Sequence, residues 1–305
     1  MKLGLGTAQF GLDYGIANAV GKTPLEEVRR ILSEAERAGV RLVDTACLYG
    51  DSEEALGRSL PAKHEFRIVT KTPKFSAGFG ATEARTLQET FAASLRKLGV
   101  PRVYALLAHQ ADDLLGADGD RFMDALLALK DRGLVAKVGA SVYTPAQVDG
   151  LLARGRIDVV QIPFNVLDQR LLRGGQLAAL AAGGVEVHAR SIFLQGALLM
   201  DLAGLPTFLR PVRPLLQRFS TAATAVGFGP LQAALAFVLE RPEIAHAVVG
   251  VCDRAQLREI LDAAASLSAK QARPDWSQFH CDEETVVNPA LWPNSRDQTR
   301  APAAT

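Results

Sequence analysis

A closed (β/α)8 (TIM) barrel is the fold this sequence predicts, and three observations predict it. Eight short apolar strands can be counted: "KLGLGTA", "RLVDTA", "RIVTKT", "VYALLAH", "AKVGAS", "DVVQIP", "EVHARS" and "HAVVGV". Their near-continuous apolar character suits parallel strands covered on both faces. Helical patterns separate almost all of them, and eight strand–helix units in about 250 residues match such a barrel. The rival is a doubly wound open sheet. No strand is followed by GxGxxG and a helix, so a Rossmann-type dinucleotide site is weakly supported.

The elements follow from local chemistry. In "AERAGVRLVDTA", "LRKLGVPRVYALLAH", "LKDRGLVAKVGAS", "LLARGRIDVVQIP" and "LAAGGVEVHARS" a helix ends in Gly and a β-branched strand starts at once. Gly supplies the left-handed residue that stops a helix, and Val and Ile favour the extended state. Thr23-Pro24-Leu25-Glu26 and Thr144-Pro145-Ala146-Gln147 have capping-box form with Pro at the first helical position. Asp253 with Gln256 offers a third such start. Val28, Ile31, Leu32 and Ala35 fall at i, i+3, i+4 and i+7, which predicts one buried stripe.

Two regions break the rhythm. Residues 195–229 are long and contain Pro and Gly, and they predict an extra loop and helix at the barrel mouth between strands seven and eight. Residues 268–305 form a C-terminal extension, expected to be ordered to about 293 around Trp276 to Trp292 and frayed over 294–305. The whole chain, 1–305, is expected to be a single domain.

Composition narrows the partners. The 305 residues carry 34 Lys and Arg against 33 Asp and Glu, a formal net charge of +1. Near-zero charge gives no electrostatic case for nucleic acid or an anionic membrane. No segment approaches the roughly 20 apolar residues of a membrane span. Cys47, Cys252 and Cys281 are odd in number and show neither a disulfide framework nor metal-ligand spacing. Free thiols, and a start without the apolar stretch of a signal peptide, suit a cytoplasmic protein.

Barrel enzymes use the C-terminal ends of their strands. The residues there, in strand order, are Thr7, Asp44, Lys71, His109, Ser141, Gln161, Ser191 and Gly250. Taken singly, several are unremarkable. Asp44 could cap the next segment, Lys71 could reach solvent along its stem, His109 could be a rim histidine, and Tyr49 could be packing. Together they make chemical sense. A phenol near pKa 10 is a poor acid at neutral pH, and a nearby ammonium makes it a better one. Lys71 can supply that charge, Asp44 can hold Lys71 charged, and His109 can orient a carbonyl. Such a site protonates an oxygen that is gaining negative charge. Hydride addition to a carbonyl creates that oxygen and requires a cofactor. A lyase or aldolase forming a Schiff base on Lys71 is a further reading, opposed by the adjacent Asp44.

These residues resemble the aldo-keto reductases. The likeness runs from "LGLGTAQFG" to "LREIL", with "DTACLYGDSE" the most specific motif. "VTK", "LLAH", "VGAS", "VVQIPFNVLD" and "VVGVCDRAQLREI" follow in family order. The resemblance implies a (β/α)8 barrel, reduction of a small carbonyl substrate by a nicotinamide cofactor, and no metal. It implies Tyr49 as general acid/base, with Asp44, Lys71 and His109 completing a tetrad. It assigns the carboxamide to Ser141 and Gln161, the nicotinamide ribose to Thr7 and Asp44, and the diphosphate to Ser191 and Gly196. It assigns the adenosine end to Gly250, Cys252, Arg254, Gln256 and Glu259. NADP(H) is expected over NAD(H) from the family's habit, although Asp253 and Glu259 accompany Arg254 and Arg258. Some relatives of this fold are accessory subunits, so a catalytically weak nicotinamide-binding regulatory protein is the alternative.

Two departures stand out. Val142 follows Ser141 where the family often has Asn, which removes an amide contact. Arg190 occupies a position where many members place an aromatic ring under the nicotinamide, which predicts weaker binding of the oxidised than of the reduced cofactor. Substrate choice is expected to lie in Gln9–Tyr14, in "TPKFSAGFGA" after Lys71, and in a C-terminal stretch with Trp276, Phe279, His280 and Trp292. These would suit a sugar or a small aromatic aldehyde. Residues 75–80 contain glycines and are expected to move when cofactor binds.

Overall fold

The strands close on themselves. In the computed structural model, which describes residues 1–76, 78–268 and 271–293, eight parallel strands pair in sequence order and β8 returns to β1. They are β1 (Leu3–Gly6), β2 (Leu42–Asp44), β3 (Arg67–Lys71), β4 (Val103–Ala108), β5 (Val135–Ser141), β6 (Val159–Pro163), β7 (Glu186–Arg190) and β8 (His246–Gly250). The outer ring comprises α1 (Leu25–Arg37), α2 (Ser52–Gly57), α3 (Ala81–Leu98), α4 (Gly119–Asp131), α5 (Pro145–Arg154), α6 (Gln176–Ala182), α7 (Arg213–Ala225), α8 (Pro230–Leu239) and α9 (Arg254–Ala265). The expected frayed tail, 294–305, lies outside the described residues.

Helix ends follow the glycines. Gly39 and Gly99, after α1 and α3, have φ of +80° and +67°, a left-handed conformation costly for other residues. Val28, Ile31, Leu32 and Ala35 form the buried stripe of α1. The capping box at Thr144 forms as expected, with Gln147 N donating to Thr144 Oγ1. The one at Thr23 does not. Pro24 precedes α1 without a side-chain cap, and the Thr23 hydroxyl donates instead to the Cys252 carbonyl at 3.2 Å. Asp253 caps α9, but Gln256 Oε1 accepts from Cys252 N rather than from the cap residue.

The barrel interior is a small core of Leu42, Val69, Ala105, Leu107, Val159 and Val248, separate from the larger core between strands and helices. Side chains alternate along a strand, so a residue two positions after an interior one also points inward. Asp44 follows Leu42, Lys71 follows Val69, His109 follows Leu107, and Gln161 follows Val159. This register delivers four polar side chains to one end of the barrel. The opposite end is closed by Tyr104, Lys137, Glu186, His188 and His246. Glu186 accepts there from the Tyr104 hydroxyl and pairs with Lys137 and His188.

Between β7 and β8 lie three 3-10 turns and α7, the expected extra segment. No single helix among the described residues is long and apolar enough to cross a membrane. The aromatic residues after α9 do not face the barrel mouth. Trp276 stands edge-on to Phe237 at 6.0 Å and Phe279 edge-on to Phe219 at 5.7 Å. Trp292 Nε1 donates to the Val286 carbonyl. Each is nine-tenths buried or more, so apolar burial explains their presence and the extension braces α7 and α8. The loop after Lys71 is anchored at Phe75 and Phe79. Phe75 and Phe79 pack with Phe122, and their amides donate to Asp113 and Asp118.

Candidate active site

A cavity of about 820 Å³ opens at the C-terminal ends of the strands. Asp44, Tyr49, Lys71 and His109 line one end, and Cys252, Gln256 and Glu259 line the other. Lys71 Nζ donates to both Asp44 oxygens, at 2.9 and 2.8 Å, and to the Thr45 carbonyl at 2.9 Å. Both side chains are buried. Burial opposes charge on Lys71, but Asp44 and Tyr49 beside it raise its pKa, so it remains an ammonium. The Lys71 nitrogen lies 5.0 Å from the Tyr49 ring centroid, and His109 stands edge-on to the same ring at 5.9 Å.

Burial raises the Tyr49 phenol above its ordinary value, although Lys71 pulls it down. The downward pull of Lys71 is the one expected from the sequence, and the burial that outweighs it is an addition from the fold. Desolvation dominates, and the phenol is held protonated at neutral pH. Burial, with Lys71, Lys74 and Arg190 nearby, lowers His109 to about 3, so it is a neutral imidazole. Its Nδ1 is buried without a protein partner.

The turn bearing Tyr49 is held by contacts that the strand pattern did not reveal. Ser52 and Glu53, at the start of α2, are buried. Ser52 Oγ donates to the Thr7 carbonyl at 2.8 Å and lies 2.8 Å from Thr7 Oγ1 and 3.1 Å from Thr45 Oγ1. Thr70 Oγ1 donates to Glu53 at 2.7 Å. Backbones touch beside them. A Cβ on Gly11 would meet the Tyr49 carbonyl at 1.8 Å, and one on Gly50, whose φ is +58°, would meet the Gly11 carbonyl at 2.4 Å. Their place within the "DTACLYGDSE" motif was the only signal for Ser52 and Glu53.

The residues expected to hold a cofactor fall mostly on the cavity wall. Thr7, Ser141, Gln161, Arg190, Ser191, Gly196, Gly250, Cys252, Gln256 and Glu259 line it, whereas Arg254 does not. The Thr7 hydroxyl is engaged with the Asp44 carbonyl and Ser52. Gln161 Nε2 donates to Asp44 at 2.8 Å, and its Oε1 is buried without a partner. An orphaned amide acceptor beside Ser141 fits a primary carboxamide. Val142, in place of the family's amide, donates its N–H to the Gln161 carbonyl and accepts from Arg190 Nη2.

After β7 the backbone is left-handed at Ser191, Leu194 and Gln195, with φ of 58°, 47° and 52°. Asn165 Nδ2 fixes this turn through the Ser191 carbonyl at 3.0 Å. The Arg190 guanidinium lies 4.2 Å over the Tyr143 ring, so one of its faces is already covered. Tyr14, in the segment expected to bear on substrate choice, lines the wall. It is 39% exposed overall, but its hydroxyl is enclosed near Tyr49, Arg190, Tyr143 and Gln195, and burial pushes it up to about 12.

Known proteins agree with this architecture. Two aldo-keto reductases of Mycolicibacterium smegmatis are 30% and 32% identical to the chain over 191 and 205 residues. Those matches cover 60% and 56% of this chain and 65% and 68% of the relatives, so the first spans just under two thirds of its relative's length. A solved aldo-keto reductase of Bacillus halodurans, in its holo form, superposes with a TM-score of 0.72. It covers 97% of this chain and 95% of its own, and its 21% identity bears on the fold alone. The model of the aldo/keto reductase family matches residues 2–274, and the chain belongs to that family.

Proposed function

We propose that the protein reduces an aldehyde or ketone with a reduced nicotinamide nucleotide, Tyr49 donating the proton. One observation carries this reading: the buried Lys71 ammonium, clamped by both Asp44 oxygens and facing the Tyr49 ring. Membership of an oxidoreductase family supports it. A bound nucleotide would supply the hydride. Ser141 and the open acceptor of Gln161 would hold its carboxamide, Ser191 and Gly196 its diphosphate, and Gly250, Cys252, Gln256 and Glu259 its adenosine end.

The chain's own residues handle the oxygen. Neutral His109 offers an N–H to a carbonyl and, with a pKa near 3, does not compete to hold the proton. Tyr49 keeps its proton until a stronger base, the forming alkoxide, takes it. The Lys71 charge then stabilises the phenolate left behind, and Asp44 keeps that charge in place. A Schiff-base role would need an uncharged Lys71, and the raised pKa opposes it.

The test is a panel of aldehydes and ketones followed by reduced-nicotinamide absorbance. Tyr49→Phe should lower kcat by about 10²–10⁴ and leave nucleotide binding intact. Nucleotide binding with no turnover on any member of the panel would instead favour the accessory-subunit reading.

A further inference from the structure

The structure also bears on which nucleotide this pocket takes, an inference that rests on the reading of the cavity as a nicotinamide site. We propose that the protein uses NADH in preference to NADPH. The two cofactors differ by one phosphate on the adenosine ribose. That phosphate is close to a dianion at neutral pH, and a protein that accepts it supplies a cation or free backbone amides.

Among the described residues the wall at the far end of the cavity supplies no cation. Cys252, Gln256, Glu259, Ile260 and Leu231 line it, and among the described residues the only charged group there is the Glu259 carboxylate. The cavity's cations, Lys71 and Arg190, stand at the tetrad end.

The two arginines of α9 face elsewhere. Arg258 Nε and Nη2 both lie 2.9 Å from Glu34 Oε2, on the neighbouring face of α1. Arg254 is off the cavity wall and acts on Glu27 and Glu34, whose carboxyls it helps to hold below their usual range. The acidic face of α1 therefore takes up the charge that a 2′-phosphate would need.

Three amides at the start of α9 are taken by side chains as well. Cys252 N donates to Gln256 Oε1 at 2.8 Å, Arg254 N to Glu27 Oε1 at 2.7 Å, and Gln256 N to Asp253 Oδ1 at 2.8 Å. Two carboxylates already sit at this helix terminus, where the dipole would otherwise favour an incoming anion. A third anion meets repulsion there. A free ribose diol fits better, because its hydroxyls are donors and Glu259 is an acceptor.

The experiment is a fluorescence titration of the purified full chain with NADH and with NADPH. The expected result is at least tenfold tighter binding of NADH. Equal or tighter binding of NADPH overturns the proposal while leaving the nicotinamide reading intact. Failure of both nucleotides to bind overturns both. Cys252→Arg sets a cation on the wall and should narrow the gap at least tenfold by tightening NADPH. Glu27→Gln, on the surface of α1, should narrow it more modestly by removing one carboxylate from the helix terminus. If neither variant moves the ratio while NADH binding persists, the electrostatic basis of the proposal is wrong.

Discussion

Separating Lys71 from Asp44 should expose how strongly the two depend on each other. Both are buried, and three short contacts satisfy the ammonium: two from Asp44 and one from the Thr45 carbonyl. Asp44→Asn leaves Lys71 with one neutral acceptor and an amide. Lys71→Met leaves Asp44 with the Gln161 amide alone. Breaking a buried pair from either side costs about 3–5 kcal/mol, because an uncompensated charge remains out of water. The double variant buries no charge at this point and should lose far less than the sum. We expect a coupling of about 3 kcal/mol or more in a cycle of urea denaturation curves at pH 7. Trp276 and Trp292, both buried, report the transition. Additivity of the single losses to within about 0.5 kcal/mol would refute the reasoning, since independent sites add to that precision.

Two further outcomes are expected. Burial lowers His109 to about 3 and His246 to about 4, below the ordinary value of 6.5. The unfolded chain therefore binds more protons below pH 6.5, and stability is lost as pH falls through that value. Between pH 7 and pH 5 each histidine should cost about 2 kcal/mol, visible as a lower urea midpoint at pH 5; an unchanged midpoint would contradict it. The Arg190 guanidinium contacts the Tyr143 ring, the Val142 carbonyl and Ser191. Arg190→Ala should tighten binding of the oxidised nucleotide by roughly three- to tenfold relative to the reduced one, about 1 kcal/mol of charge repulsion. Equal changes in both affinities would count against it.

The parts legible in the sequence were those set by period and punctuation. Strand starts followed helix-ending glycines such as Gly39 and Gly99, and Asp44, Lys71 and His109 followed from strand ends because alternation along one strand is local. What depended on packing across elements was not legible. Trp276, Phe279 and Trp292 look the same in a sequence whether they line a mouth or fill a core. The pairing of Arg258 with Glu34, and the closeness of Arg254 to Glu27, likewise join α9 to the distant α1 and leave no mark in the local sequence. Thr23 had the form of a cap, yet its hydroxyl bonds a carbonyl more than 200 positions away. The acidity of Tyr49 was also beyond the sequence, because it depends on how much water the fold removes.

The contact between Gly11 and the turn at Tyr49–Gly50 has a consequence for altering substrate range. The loop after β1 carries Gln9 and Tyr14 on the cavity wall, so it is an obvious place to reshape specificity. Its backbone also abuts the peptide that positions Tyr49, with no room for a single added carbon. Under the proposed chemistry, selectivity and turnover are therefore mechanically joined at this edge of the barrel. A redesigned β1 loop that shifts Gly11 will shift Tyr49 with it, whereas changes at Leu199 or Met200, on the β7–β8 segment, reach the same cavity without that linkage.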